Sequence, residues 1–229
     1  MTDEEIKQQQ QRAQQEFQRA HQKAMQEAIR QQQEAQALAI KMQQQAQEIQ
    51  HAIDNEPRQK YAVIAAIDLD RGFAKLGEIP WYYAEDLRWF KQITSGHICV
   101  MGRITYEDIN KRLGEKAAES ILPNRRCFVV SSTLKQDDTK NATVIKCCYD
   151  VVNFLTEEDI GKTVFFIGGE RIFTEGISLA NTVYLTAIDK TFECDKFFPV
   201  EYVDKYFVLD KMHKTETAPD LRFLTFVRK

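Results

Sequence analysis

The chain has 229 residues and a formal net charge of −3, enough for one sizeable core plus an appendage and without the basic excess that phosphate-backbone binding needs. No apolar run approaches the ~20 residues of a membrane span. The opening MTDEEIKQQQ lacks the basic-then-apolar layout of a signal peptide, and five Cys without CxxC spacing read as reduced thiols of a cytoplasmic protein, with no metal site expected.

Composition is abnormal before Lys60 and ordinary after it. Residues 3–53 hold 18 Gln and neither Gly nor Pro. Gln, Ala, Glu, Lys and Arg are good helix formers, and Thr2 with Glu5 suits a capping box. Ala13, Ala24, Ala35 and Ala46 recur every eleven residues, as do Ile6, Phe17, Ala28 and Ala39. Leu38 with Ile49 and Met42 with Ile53 keep the same step, which at ~3.67 residues per turn gives a nearly straight stripe. One long helix is expected, ending before Asp54-Asn55-Glu56-Pro57. A stripe made mostly of Ala buries little area, so a coiled coil through it alone is weak. A docking helix for a protein partner, a homo-oligomerisation arm and a solvated helix all fit. The expected domains are an extension at 1–56, a linker at 57–60 and a globular domain at 61–229.

From Tyr61 onward, apolar runs alternate with helical patterns. YAVIAAID reads as a buried strand, followed by an irregular loop carrying Gly72, Gly77 and Pro80. A short helix then places Asp86 among Trp89 and Phe90, three and four positions away. A carboxylate there is either used or is an exposed first-turn residue favoured by the helix dipole. HICVM (His97–Met101), RCFVVSS (Arg126–Ser132), TVIK, TVFFI (Thr163–Ile167) and TVYLTAI (Thr182–Ile188) read as further strands. Helices are expected after Gly102, around Tyr149–Glu157 and after Gly169. Lys111–Ser120 reads as an exposed loop or short helix. YFVLDKMH and LRFLTFV suggest a C-terminal antiparallel hairpin. Strands alternating with helices argue for a mostly parallel sheet covered on both faces.

VMGRIT and FIGGERIF share one grammar: strand, glycine, helix N-terminus. Such N-termini offer free N–H donors and positive dipole, and each carries an Arg, Arg103 or Arg171, able to grip phosphate. A third strand ends in Ser131-Ser132. Strand carboxyl ends are where open α/β sheets bind ligands, so the three could converge on one phosphate-bearing cofactor. Neither glycine stretch is GxGxxG.

VIAAID, IPW with DLRWFK, VMGRITYEDI, LPNR followed by VVSS, FIGGERIF, and VYLTAID with FFP, taken in that order, resemble the dihydrofolate reductase family. The resemblance covers about Tyr61–Lys229. It implies a three-layer α/β fold with a mixed, mostly parallel eight-stranded sheet and flanking helices, here with a long N-terminal α-helix added. A mobile loop, Arg71–Trp81, would cross the active site. The implied activity is NADPH-dependent reduction of dihydrofolate to tetrahydrofolate, serving one-carbon metabolism and nucleotide synthesis, with antifolates as further ligands. The family's catalytic carboxylate falls on Asp86, with Thr186 as its hydrogen-bond partner and Trp81 fixing a nearby water. The implied pterin pocket is Ile64, Ala66, Leu87, Phe90, Ile109, Leu122 and Ile167, and Arg125 would grip the glutamate tail. NADPH would lie along Ala66, Gly102, Arg103, Ile104, Thr105, Ser131, Ser132, Gly168, Gly169, Glu170, Arg171 and Ile172. Arg103, Ser132 and Arg171 resemble the cluster that takes the 2′-phosphate.

The sequence departs from the family at Phe73-Ala74, where glycine is usual at 74, and at Phe173, commonly Tyr. It departs also at Asn124, in place of a common glycine, at Thr133-Leu134, without a frequent proline, and in the insertion-like Lys111–Ser120. Two other readings are a riboflavin-pathway pyrimidine reductase of the same fold and a reductase fold recruited into a larger particle through its Gln-rich helix.

Overall fold

The computed structural model describes residues 60–114, 120–139 and 141–229, with scattered positions between Met25 and Gln44. The chain divides into two units, Met1–Asp54 and Asn55–Lys229. Every described position of the first unit is helical and exposed. The cap expected at Thr2, the eleven-residue stripe, the helix end and the linker through Gln59 lie outside the described residues.

In the second unit the eight-stranded sheet runs β5-β4-β3-β6-β1-β7-β10-β9. Its strands are β1 (Lys60–Ile67), β3 (Ile98–Gly102), β4 (Arg126–Val130), β5 (Thr143–Ile145), β6 (Thr163–Phe166), β7 (Thr182–Ile188), β9 (Phe207–Thr215) and β10 (Ala218–Arg228). Pairing is parallel from β5 to β7, and β10 is antiparallel to both β7 and β9. Near-continuous apolar runs such as Tyr61–Ile64 and Ile98–Met101 are buried, as expected of strands covered on both faces. The outer strand β9 is protected by register breaks against β10 and by Lys211 and Lys214, which discourage edge pairing.

Four helices are described in this unit: α1 (Ala84–Thr94), α2 (Arg103–Leu113), α3 (Glu170–Leu179) and α4 (Val200–Tyr206). A Cβ on Gly176 in α3 would fall 2.6 Å from the Phe166 side chain, so only glycine lets this helix lie so close to β6. Arg228 at the end of β10 donates to the carbonyls of Ile177, Ser178 and Ala180, acceptors that a helix C-terminus leaves free. The last strand thereby fixes the helix whose first turn opens beside the candidate site.

Three expectations are corrected. The helix expected at Tyr149–Glu157 is instead a pair of 3₁₀ segments, Cys148–Phe154 and Glu157–Asp159. Asp150 accepts from the amides of Lys146 and Cys147, and Asp159 from that of Thr156; such local side-chain bonds compete with α-helix. Lys111–Leu113 belongs to α2, which ends at Gly114 with φ 57°, and residues 115–119 lie outside the described set. The loop Arg71–Trp81 contains a short strand, β2 (Gly72–Ala74), paired with β8 (Lys196–Phe197) as a separate two-stranded sheet.

Candidate active site

A cavity of about 600 Å³ opens at the carboxyl ends of the central strands, within the range of small-molecule sites. Asp86 sits on its wall in the first turn of α1. Trp89 and Phe90 follow on the same helix but serve two cores. Phe90 packs with the cluster of Ile64, Met101 and Ile121, and Trp89 meets Tyr184, His213 and Phe223. Asp86 is thus left facing the cavity between them.

Thr186, in the middle of β7 and 2 % exposed, donates its hydroxyl to the Asp86 carboxylate. Burial pushes the Asp86 carboxyl above its ordinary value, and the Thr186 bond opposes that by favouring the charged form. Burial prevails. Trp81 also lines the cavity and packs on Phe192 at 5.0 Å. Its buried indole N–H has no partner among the described residues, which leaves a donor for water or a polar substrate atom.

Every residue expected in the pterin pocket lines this cavity: Ile64, Ala66, Leu87, Phe90, Ile109, Leu122 and Ile167. Arg125 stands at its rim, held by bonds from Nε to the Pro123 carbonyl at 3.1 Å and from Nη1 to Thr94 Oγ1 at 3.0 Å. Thr94 is itself tied to the Phe90 carbonyl at 2.7 Å, and the guanidinium lies 5.8 Å from the Phe90 ring centroid. The fork is therefore oriented in advance, with N–H donors left over for a carboxylate. The turn before it places Asn124 at φ 64°, a left-handed conformation that Asn tolerates better than most residues.

At the other end, β3 and β6 deliver two helix N-termini side by side, joined by Gly102 N–H donating to the Gly168 carbonyl at 2.7 Å. Gly102 caps α2 and Gly169 caps α3, and neither helix has a side-chain cap. The free N–H groups of Arg103–Thr105 and Glu170–Ile172 are what a phosphate-bearing cofactor requires, so the residues present fit such a group. Ala66, Thr105, Gly168 and Gly169 also line the cavity, whereas Gly102, Arg103, Ile104, Ser131, Ser132, Glu170, Arg171 and Ile172 lie outside it. Ile172 is buried and Ile104 is exposed, so Ile172 faces the core and has only its backbone to offer. Arg103 pairs with Glu107 at 2.7 Å and Arg171 with Glu175 at 2.6 Å. Ser131 Oγ accepts from the Leu134 amide at 2.9 Å, turning the chain after β4 and leaving Ser132 exposed.

The sequence reading missed several wall residues. Asp108, Arg112 and Leu113 line the cavity with Thr105 and Ile109, and the spacing 105, 108, 109, 112 is one helical stripe from which they were recoverable. Lys91, one turn after Leu87, was recoverable in the same way. Glu78, Ile79, Tyr82 and Tyr83 sit on irregular backbone, where no period announces a face. Phe73 and Ala74 also form wall, and Phe73 meets Phe173 edge-on at 5.1 Å. Among the described residues no cluster of His, Cys, Asp or Glu could hold a metal, and no helix is long and apolar enough to cross a membrane.

Comparison with known proteins points to one family. Residues 60–228 match the model of the family described as dihydrofolate reductase. Dihydrofolate reductase of Bacillus subtilis (strain 168) is 33% identical over 170 residues, 72% of this chain and 93% of that protein. The Staphylococcus aureus enzyme of the same name is 32% identical over 175 residues, 73% and 98% of the two chains. A solved dihydrofolate reductase from Enterococcus faecalis, complexed with NADP(H) and RAB-propyl, superposes with a TM-score of 0.61 at 26% identity, covering 74% of this chain and 96% of the other. By fold and sequence, the chain belongs to the dihydrofolate reductase family.

Proposed function

We propose that this cavity reduces dihydrofolate to tetrahydrofolate with Asp86 as the one carboxylate serving the reaction. The observation that carries the reading is a half-buried Asp86, bonded to Thr186, in an apolar cavity that ends at two uncapped helix N-termini. Reduction of the pterin C=N bond adds one hydride to carbon and one proton to N5. When bound, NADPH supplies the hydride and leaves as NADP⁺. The chain's own part is positioning and electrostatics. A carboxylate in an apolar wall complements the positive charge that develops as N5 takes its proton, and it holds the pterin's amino group and ring nitrogen. Its raised pKa brings the carboxyl nearer to working pH than an ordinary Asp. The unpartnered Trp81 N–H suits a water that relays the proton. Arg125 takes the carboxylate of the glutamate tail, and Arg103, Ser132 and Arg171 take the 2′-phosphate. The product feeds one-carbon transfer and nucleotide synthesis.

Dihydrofolate-dependent oxidation of NADPH, blocked competitively by methotrexate, is the expected result. Turnover of a riboflavin-pathway pyrimidine in its place would overturn the assignment.

Residues 1–56, joined through 57–60 to the reductase domain 61–229, serve on this reading as an arm for a protein partner or a second copy of the chain. Eighteen Gln and an eleven-residue apolar step suit a helix with a narrow contact face and offer no catalytic group. Five free thiols support a cytoplasmic location. Removing residues 1–56 is expected to leave turnover unchanged and to lower the assembly mass seen by light scattering or to abolish capture of a partner. Loss of turnover in a folded truncated chain would refute this.

A further inference from the structure

Asp68 lies just after β1, is 3 % exposed and does not line the cavity. Its Oδ1 accepts from the amides of Gly72 at 2.7 Å and Asp70 at 3.0 Å. Its Oδ2 accepts from the amide of Phe192 at 3.0 Å, and the Cys194 thiol sits beside the same carboxylate, where burial first and that charge second raise the thiol's pKa. One carboxylate thus joins two segments 120 residues apart in sequence: the turn leading into β2, and the stretch between β7 and β8. Backbone bonds run alongside it, from Leu69 N–H to the Lys190 carbonyl at 2.9 Å and from Phe198 N–H to the Arg71 carbonyl at 2.9 Å. The fit is tight. A Cβ on Gly72 would lie 2.2 Å from Cys194 Cβ and 3.1 Å from Asp68 Oδ1, so β2 passes where only a bare backbone can.

We propose that Asp68 is a positioning residue for the reaction, clasping β2 to the β7–β8 segment so that Phe73 and Ala74 hold their places in the cavity wall. This rests on the reductase reading above. A buried carboxylate that accepts several N–H bonds is costly to bury and strongly oriented by its donors, and little in the fold of the eight-stranded sheet requires it. What it does fix is the first residue of a three-residue strand whose next two residues face the cavity. Phe73 in turn meets Phe173 on α3, four residues after Gly169. A shift of β2 would therefore be felt where the hydride donor and pterin must touch, and least at the Arg125 rim. Transfer rate is exposed to such sub-ångström displacement.

The decisive variant is Asp68→Asn in the full chain. Its single carboxamide oxygen can serve either the Gly72 side or the Phe192 side, and its NH₂ then faces an N–H donor. The expected result is a kcat lowered roughly tenfold, the scale of one broken buried hydrogen bond, with KM for dihydrofolate changed by less than about twofold. Amide hydrogen exchange should quicken in residues 72–74 and 192–197 and stay unchanged in β3. Cys194→Ala, which removes the neighbouring thiol and leaves the carboxylate, should give the same pattern at smaller amplitude, and it answers the question if the Asn variant does not fold. Val151→Ala in the 3₁₀ segment Cys148–Phe154, a buried site far from the clasp in sequence, supplies a control matched in thermal stability and should keep kcat. Unchanged kcat in both clasp variants, or unchanged exchange in 72–74, would overturn the proposal. Absence of reductase activity in the unmodified chain would instead strike the functional reading, and the exchange measurement would still decide whether Asp68 clasps β2.

Discussion

At the Asp86 end, the cavity is walled by side chains that other side chains hold in place. Thr186 fixes Asp86, while Thr94 and the Pro123 carbonyl fix Arg125. At its other end the cavity runs up to Gly168 and Gly169, beside two uncapped helix starts whose arginines lie exposed and paired with their own i+4 carboxylates. On the proposed function, the difference follows from what each end must recognise. A fused ring is read by shape and by a few buried polar groups, which must be rigid and desolvated to discriminate. Phosphates are read by charge and by N–H donors, which a helix terminus supplies whatever its side chains. Single substitutions should therefore cost much at the first end and little at the second.

The largest effect is expected at Asp86. Asp86→Asn keeps the shape and removes the charge, and turnover of dihydrofolate at neutral pH should fall by roughly 10²-fold or more with cofactor affinity retained. The same variant carries a stability signature of opposite sign. Folding raises the Asp86 pKa because burial disfavours its charged form, so the folded chain binds the proton more tightly than the unfolded one. The group's contribution to stability is present below the ordinary carboxylate pKa and is lost as pH rises through the folded value. Asn escapes that loss. Thermal melts should show Asp86→Asn more stable than the parent at neutral pH, with the gap narrowing as pH falls through the raised folded value and closed below about 4. A variant that melts lower at neutral pH would mean that the carboxylate contributes stability and that its desolvation has been overrated.

Arg125 comes next. Charge-assisted bonds to a carboxylate contribute about 1.5–3 kcal/mol, so Arg125→Ala should raise KM for dihydrofolate roughly 10- to 10²-fold and leave kcat nearly unchanged, because the contact is remote from the reacting atoms and equal in ground and transition states. A dihydropteroate substrate without the glutamate tail should not feel the substitution. Equal losses on both substrates would place Arg125 among structural residues, through its tie to Thr94.

The contrast between the two ends also explains what the sequence disclosed. Strand and helix periodicity carries its own faces, so β1, α1 and α2 were legible, and the resemblance then mapped the pocket residues Ile64, Leu87, Phe90 and Ile109 onto them. The stripe 105, 108, 109, 112 shows that even Asp108 and Arg112 were within reach of the same rule. The loop between β1 and α1 has no period. Nothing in GFAKLGEIPW states that Gly72–Ala74 pairs with Lys196–Phe197, because the partner strand and the Asp68 carboxylate that bonds Gly72 and Phe192 both lie outside that stretch. The 3₁₀ segments at Cys148–Phe154 and Glu157–Asp159 escaped for a related reason, since Asp150 and Asp159 rewrite the local backbone by bonds that composition does not advertise.

The smallest effect should come from the arginines of the backbone-built end, and it tests the contrast most sharply. Arg103 and Arg171 are exposed and each already has a carboxylate within hydrogen-bond distance, so a phosphate must compete with Glu107 and Glu175 for them. Exposed ion pairs contribute only about 0.2–1 kcal/mol each. Arg103→Ala combined with Arg171→Ala should therefore narrow the preference for NADPH over NADH by roughly thirtyfold at most, leaving kcat with saturating cofactor unchanged. The effect should shrink as salt rises past physiological strength, where the screening length is about 8 Å. Steady-state kinetics with both cofactors at low and high ionic strength measure all three expectations. Glu107→Gln with Glu175→Gln frees the same arginines and should widen the preference slightly, the opposite sign from the same two ion pairs. An unchanged ratio in the double Ala variant would remove the arginines from phosphate recognition and leave it to the helix N–H groups alone. A loss of about 10²-fold, the upper bound at Arg125, would show that this end, too, is built from fixed side chains once its ligand is bound.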